Sequence, residues 1–170
     1  MKFQNINIVW KFGFIYVLIT SFLFTLIYFE GISPFYLINE LQTDLSVYLT
    51  ELWINFYDIP IYLSGETVSY THGLELKILN VCNGLAVYLF FLAAILAYPS
   101  SNKEKFYWAV LSYVVILIAN TIRIDWILYH VIAYPEEFTF VHEVLGRYAL
   151  ATIPLIMFYL FTDKKVVFTN

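Results

Sequence analysis

The chain has 170 residues, a length suited to one domain, yet 61% of them are hydrophobic, 21% aromatic and only 13% charged. That balance lies far outside the globular average and excludes a water-soluble domain in favour of an integral membrane protein. The net charge of −4 comes with no basic patch suited to nucleic acid, and one cysteine, Cys82, leaves no internal disulfide to form.

Four stretches can cross a hydrocarbon core about 30 Å thick at about 1.5 Å per helical residue. They are residues 12–29, 82–98, 106–123 with a more polar extension to 133, and 146–162. The first follows Lys2 and Lys11 and ends in Phe-Glu-Gly-Ile-Ser-Pro without a small-residue cleavage site, so it is expected to be a retained helix and not a signal peptide. Lys2, Lys11, Lys103, Lys105, Lys164 and Lys165 flank the spans on one side, whereas the other side holds Lys77 and at least seven carboxylates. By the positive-inside rule both termini and the 99–105 loop are cytoplasmic, and 30–80 and 134–143 face outward.

Within the outer segment, Ser33-Pro34 reads as an N-cap and a first helical position. Leu37, Leu41, Leu45, Tyr48, Leu52 and Phe56 then form one stripe, with Glu40, Asp44 and Glu51 on another face. This predicts an amphipathic helix at the outer membrane surface or across the bundle. After Asp58-Ile-Pro60 the period becomes two: Val68 and Tyr70 alternate with Thr67, Ser69 and Thr71, and Leu74, Leu76 and Ile78 with Glu75 and Lys77. A small β-hairpin turning at Thr71-His72-Gly73 and feeding into Asn80-Val81-Cys82 is expected. The fold class is an all-α polytopic membrane protein: a single domain over 1–170, about four transmembrane helices, an outward-facing amphipathic helix and the hairpin.

This topology brings three unusual residues to the outer ends of successive spans. Cys82 opens the second; Arg123 lies about 25 Å up the third; His142 precedes the fourth. Arg123 has two readings, an anchor snorkelling to the headgroups or part of an inward polar stripe with Asn120 and His130. Cys82 taken alone reads more often as an inert small apolar residue than as a nucleophile, because free Cys is commonly buried. Its setting before Asn83-Gly84, at a hairpin-to-helix junction where backbone N–H groups and a positive helix end favour a thiolate, points to the second. The His142-Glu143 pair is not a zinc-protease motif, because Gly146 stands where the second His is required. His130 and His142 lack a clear third ligand, so no metal and no cofactor are expected. Glu143 and Arg147, spaced i and i+4, suit a structural ion pair.

Cys82-Asn83-Gly84, Asn120-Thr-Ile-Arg123-Ile and His142-Glu-Val-Leu-Gly146, in that order and membrane context, resemble the exosortase/archaeosortase family over roughly residues 60–162. The compact length resembles the small exosortase F (XrtF) type. The resemblance implies a membrane-embedded cysteine protease or transpeptidase of the bacterial cytoplasmic (inner) membrane. Its partners would be exported proteins whose C-terminal sorting signal comprises a short motif, a transmembrane helix and a basic tail. It also implies roles: Cys82 as nucleophile forming a thioacyl enzyme, His142 as general base and later acid, Arg123 stabilising the thiolate or the oxyanion. Asn83, Gly84 and Asn120 would bind or orient. The chain departs from the common pattern in its shortness, in Asn83 between Cys and Gly, and in Arg147 after the histidine motif. Two other classes stand beside this reading: a non-catalytic partner or assembly subunit of an export or surface-display system, and a small transporter lined by Asn120, Arg123 and His130. The transporter is disfavoured because the other spans offer almost no polar residues to complete a path.

Overall fold

The computed structural model describes residues 3–57, 59–71 and 73–168, with side chains from residue 9 to 163 apart from Leu145. Asp58, His72 of the expected turn, Lys2 and the side chains of Lys164 and Lys165 lie outside that set. Helix α1 (Phe3–Ile27) is followed by α2 (Leu37–Phe56), three short strands, a 3-10 turn (Asn80–Cys82), α3 (Leu85–Ala97) and the long α4 (Asn102–Ala133). A short α5 (Phe138–Phe140) then runs through a π-helical turn (Val141–Gly146) into α6 (Arg147–Phe168).

The stretches Val9–Ile27, Asn102–Ala133 and Pro135–Asp163 are long and apolar enough to cross a membrane, and α3 is an equally apolar helix of 13 residues. Trp10, Phe14 and Phe22 of α1 are exposed at 75%, 67% and 62%. Rings displayed at that density are stable only against lipid, which makes the chain an integral membrane protein. The predicted span and its polar extension to 133 are one unbroken helix, α4, whose start is fixed by a capping box between Ser101 and Glu104.

Helix α4 is the spine of two cores. Near its start, Trp108 and Ile116 pack with Phe91 and Ile95 of α3 and Met157 and Phe161 of α6. Toward its other end, Ile124, Ile127, Leu128 and Val131 pack with Val68, Tyr70 and Ile78 beneath the sheet and with Val141 of the π-turn. Tyr70 ties the sheet to α4 by donating from its hydroxyl to Leu128 O at 3.1 Å. Burial pushes the Tyr70 phenol well up, so it remains a donor throughout the physiological range. Asn120 and Arg123 fall between the two cores.

The expected hairpin is the β2 (Thr67–Tyr70) and β3 (Glu75–Lys77) pair of a three-stranded antiparallel sheet in the order β1-β2-β3. The additional strand β1 (Ile61–Ser64) pairs Ile61 with Tyr70 and Leu63 with Val68. The exposed Tyr62 hides its period of two, because the outward position is as apolar as its inward neighbours Ile61 and Leu63.

Two details of α2 differ from expectation. Ser33 does not cap it: α2 begins only at Leu37, and the Ser33 hydroxyl instead accepts from Phe29 N and donates to Phe24 O, closing the end of α1. The predicted leucine stripe is the exposed face, while Asn39, Gln42, Thr43, Ser46 and Thr50 are buried. Apolar-out and polar-in is the stable orientation when the surroundings are lipid, since the polar groups must find partners inside the protein.

Those partners are at the start of α3. Asn83 Nδ2 donates to Asn39 Oδ1 at 2.7 Å and to Thr43 Oγ1 at 2.9 Å, and Asn83 Oδ1 accepts from Leu85 N. Gln42 Nε2 donates to Asn83 O, and Tyr113 OH donates to Gln42 Oε1. Replacing Asn83 by Ala strands several buried polar groups at once, each costing about 1–3 kcal/mol. Asn83→Ala is therefore expected to lower the thermal unfolding midpoint in detergent measurably, and a midpoint equal to that of the natural chain would contradict this packing.

Candidate active site

Three local structures converge on Cys82. The 3-10 turn delivers the residue itself, and Gly84 then takes the left-handed conformation at φ +79° to redirect the chain into α3. A side chain at Gly84 would be strained by that backbone, and its Cβ would meet Asn120 Cβ and Cγ at 3.1 Å. The glycine thus permits the start of α3 to sit directly on α4. From one face of α4, Asn120 Nδ2 and Arg123 Nη2 both donate to the carbonyl oxygen of Cys82, at 3.0 and 3.2 Å. The Arg123 guanidinium also bears electrostatically on the Cys82 thiol.

The third component is the π-turn. One extra residue per turn shifts the side-chain phase along a helix, and such turns recur at functional sites. Here it places His142 Nε2 at 3.6 Å from Cys82 Sγ. Phe138 stacks on the imidazole with centroids 5.3 Å apart. Glu143 engages both neighbours: Oε1 lies 3.2 Å from His142 Nδ1, and Oε2 pairs with Arg147 Nη1. An ionised carboxylate can only accept, so Nδ1 carries the proton and Nε2 presents its lone pair to the thiol. Gly146 completes the arrangement, because a Cβ there would lie 3.1 Å from Ile127 Cδ1 and 3.2 Å from Val141 O.

Cys82, Arg123 and His142 border two spaces. One of about 150 Å³ opens between α3 and α6 and includes Val81, Gly84, Val87 and Leu150. The other, of about 50 Å³, lies toward the sheet and includes Lys77, Ile78 and Phe138. The thiol can therefore be approached from the bundle side and from the sheet side.

The predicted residues separate into groups. Cys82, Arg123, His142, Gly84 and Asn120 come together; Asn83 is adjacent but 1% exposed, with its side chain turned to α2 and not to either space. His130 does not join them. It pairs with Glu137 at 2.9 Å and stands between the rings of Trp126 and Tyr134, so the stripe predicted from Asn120 through Arg123 ends there. The Glu143–Arg147 pair forms as expected, but the contact of Glu143 with His142 was not foreseen. The two are neighbours in sequence within the π-turn, for which the sequence carries no evident signal. Among the described residues no three His, Cys, Asp or Glu side chains gather as metal ligands.

A family model described as transmembrane exosortase matches residues 7–160 of the chain. No curated protein and no solved structure matches it.

Because Cys82 is the sole cysteine, a thiol reagent reports on this site alone. Val87→Trp fills the larger space and is expected to slow labelling of Cys82 by a small maleimide about tenfold, whereas Val114→Trp on the exposed face of α4 leaves the rate unchanged. Equal slowing by both would mean that the reagent does not enter between α3 and α6.

Proposed function

This chain belongs to the transmembrane exosortase family, and we propose that it is a cysteine protease or transpeptidase of the small exosortase F type, cleaving the C-terminal sorting signal of exported proteins. The observation that carries this reading is the 3.6 Å approach of His142 Nε2 to Cys82 Sγ, with the other ring nitrogen held by Glu143. A nucleophile, a base and a group that orients the base are the minimum for acyl transfer.

In this mechanism His142 Nε2 takes the thiol proton as Cys82 Sγ attacks the scissile carbonyl carbon. The electron pair of that carbonyl moves to its oxygen, and Arg123 offsets the charge there. Its Nη2 is engaged by the Cys82 carbonyl and its Nε is buried, so in this mechanism the guanidinium acts on the oxyanion through its charge. Collapse of the tetrahedral species breaks the C–N bond, and imidazolium His142 returns the proton to the departing amine nitrogen. The acyl group remains as a thioester on Cys82 until water or an amine acceptor attacks, with His142 accepting its proton and the thiol re-forming. Asn120 is a positioning residue that holds the Cys82 carbonyl; Asn83 and Gly84 shape the turn. Both termini are cytoplasmic in this reading, the site lies at the outer face of a bacterial cytoplasmic membrane, and the cleaved helix and basic tail stay in the bilayer.

Mass spectrometry of protein C-termini from cells carrying the natural chain or a variant tests this. Cys82→Ala, Arg123→Ala and His142→Ala are each expected to leave one or a few proteins with an uncleaved apolar, basic-tailed C-terminus while the variant still inserts. Glu143→Ala should slow processing on the order of a hundredfold and alter its pH profile, because the imidazole loses its orienting partner. Unchanged C-termini with Cys82→Ala would leave a non-catalytic partner or assembly subunit as the function.

A further inference from the structure

The sheet beside the thiol has an open edge. In the order β1-β2-β3, strand β3 is paired on one side only, and it leads into the 3-10 turn that carries Cys82. Tyr70 N donates to Leu74 O at 2.9 Å and Ile78 N to Glu66 O at 2.8 Å, and Leu76 stands opposite Val68. An antiparallel strand bonds to a given neighbour at every second residue, so Leu74, Leu76 and Ile78 serve β2. The N–H and C=O groups of Glu75 and Lys77 therefore point away from the sheet. Among the described residues no backbone group beyond the sheet meets them.

The free edge of β1 borders neither space at Cys82, whereas β3 borders one of them. Leu76, Lys77 and Ile78 share the space of about 50 Å³ with Cys82, Phe138 and His142. A row of unpaired N–H and C=O groups is matched by another extended backbone, the basis of recognition by strand addition. An edge of three residues that carries the exposed, charged Glu75 and Lys77 is too short to hold a lasting neighbour. It suits a chain that must leave after cleavage.

The two spaces around the thiol separate the two arms of such a chain. A helix that stays in the bilayer belongs on the bundle side, between α3 and α6, and the arm that joins the exported protein belongs on the sheet side. That arm reaches the scissile carbonyl in its N-to-C direction, which is also the direction in which β3 leads to Cys82, so the two strands run parallel. We propose that the acyl-side segment of the substrate binds as a fourth, parallel strand on the Glu75–Lys77 edge, an inference that rests on the protease or transpeptidase reading. Side chains of the added strand alternate between faces. Those on the face of Leu76 and Ile78 meet the small space walled by Ile127 and Phe138, which selects one small apolar residue. Those on the face of Glu75 and Lys77 look to water and are not selected.

The cargo for the test is the protein that Cys82→Ala cells leave uncleaved, so failure of the catalytic reading shows at that step and takes this inference with it. Synthetic segments of that cargo, each with one backbone N-methyl group on the acyl side, are offered to the purified full chain. Methylation removes a single N–H donor, and a strand presents its donors to one neighbour at every second residue. Cleavage is expected to slow about tenfold on methylation at alternate residues and to stay unchanged at those between. In cells, Glu75→Pro deletes an outward N–H at the first residue of an edge strand, where proline is tolerated, and should slow processing of the same cargo about tenfold. The methylated segments need no variant and decide the matter even if Glu75→Pro folds poorly. Cleavage of the natural segment with no alternation among the methylated ones, or full-speed processing by Glu75→Pro, would overturn the proposal while leaving the catalytic reading in place.

Discussion

The carbonyl oxygen of Cys82 receives two side-chain donors from one face of α4, Asn120 Nδ2 and Arg123 Nη2, and the geometry of the whole site follows from that attachment. In a setting with little water, a backbone carbonyl at a break between elements must find donors within the protein. Meeting that demand from α4 fixes the height of the thiol on the bundle and the point at which the sheet passes the chain to α3. It also draws a cationic side chain to within electrostatic reach of the thiol. Gly84 favours it, because a Cβ there would crowd Asn120 at 3.1 Å and strain a backbone of φ +79°.

The second side of the turn is held with equal care. Asn83 is sequestered by Asn39 and Thr43, and Gln42 braces its carbonyl while being itself braced by Tyr113. A helix whose leucines face lipid and whose amides face the bundle therefore acts as a clamp on residues 80–84. His142 approaches from the opposite direction on a π-turn kept against α4 by Gly146. The imidazole needs no movement of α6 to reach the sulfur, because the phase of the π-turn and the stack on Phe138 already aim it.

Much of this was legible in the amino-acid order. Hydropathy located the apolar helices, and the expected topology brought Cys82, Arg123 and His142 to neighbouring helix ends. The three motifs were close enough to a known family to suggest roles. The clamp was not legible: Asn39, Gln42 and Thr43 lie about 40 residues from Asn83, and only the fold brings them together. Their spacing of i, i+3 and i+4 is a visible polar stripe, but the leucine stripe on the same helix invited more attention. Strand β1 was concealed by an apolar outward residue, Tyr62, and the role of Glu143 by a π-turn that no local pattern announces. His130 shows the converse, since helical spacing alone extended the polar stripe past the point where Glu137 claims it.

What unites these features is that polar groups in an apolar medium are placed by the need for partners, so the groups left over carry the interest. Among the described residues Arg123 Nε is such a group, on the residue whose Nη2 holds the Cys82 carbonyl. The central claim concerns that site: that Cys82 sulfur becomes bonded to a substrate carbonyl. The most direct measurement is the intact mass of purified protein mixed with a candidate cargo C-terminal segment and quenched in acid. The account predicts an adduct equal to the acyl fragment, located on Cys82 by peptide mapping and released by hydroxylamine as a thioester requires. Cleavage of the segment with no adduct on Cys82, or with equal efficiency by Cys82→Ala, would contradict it.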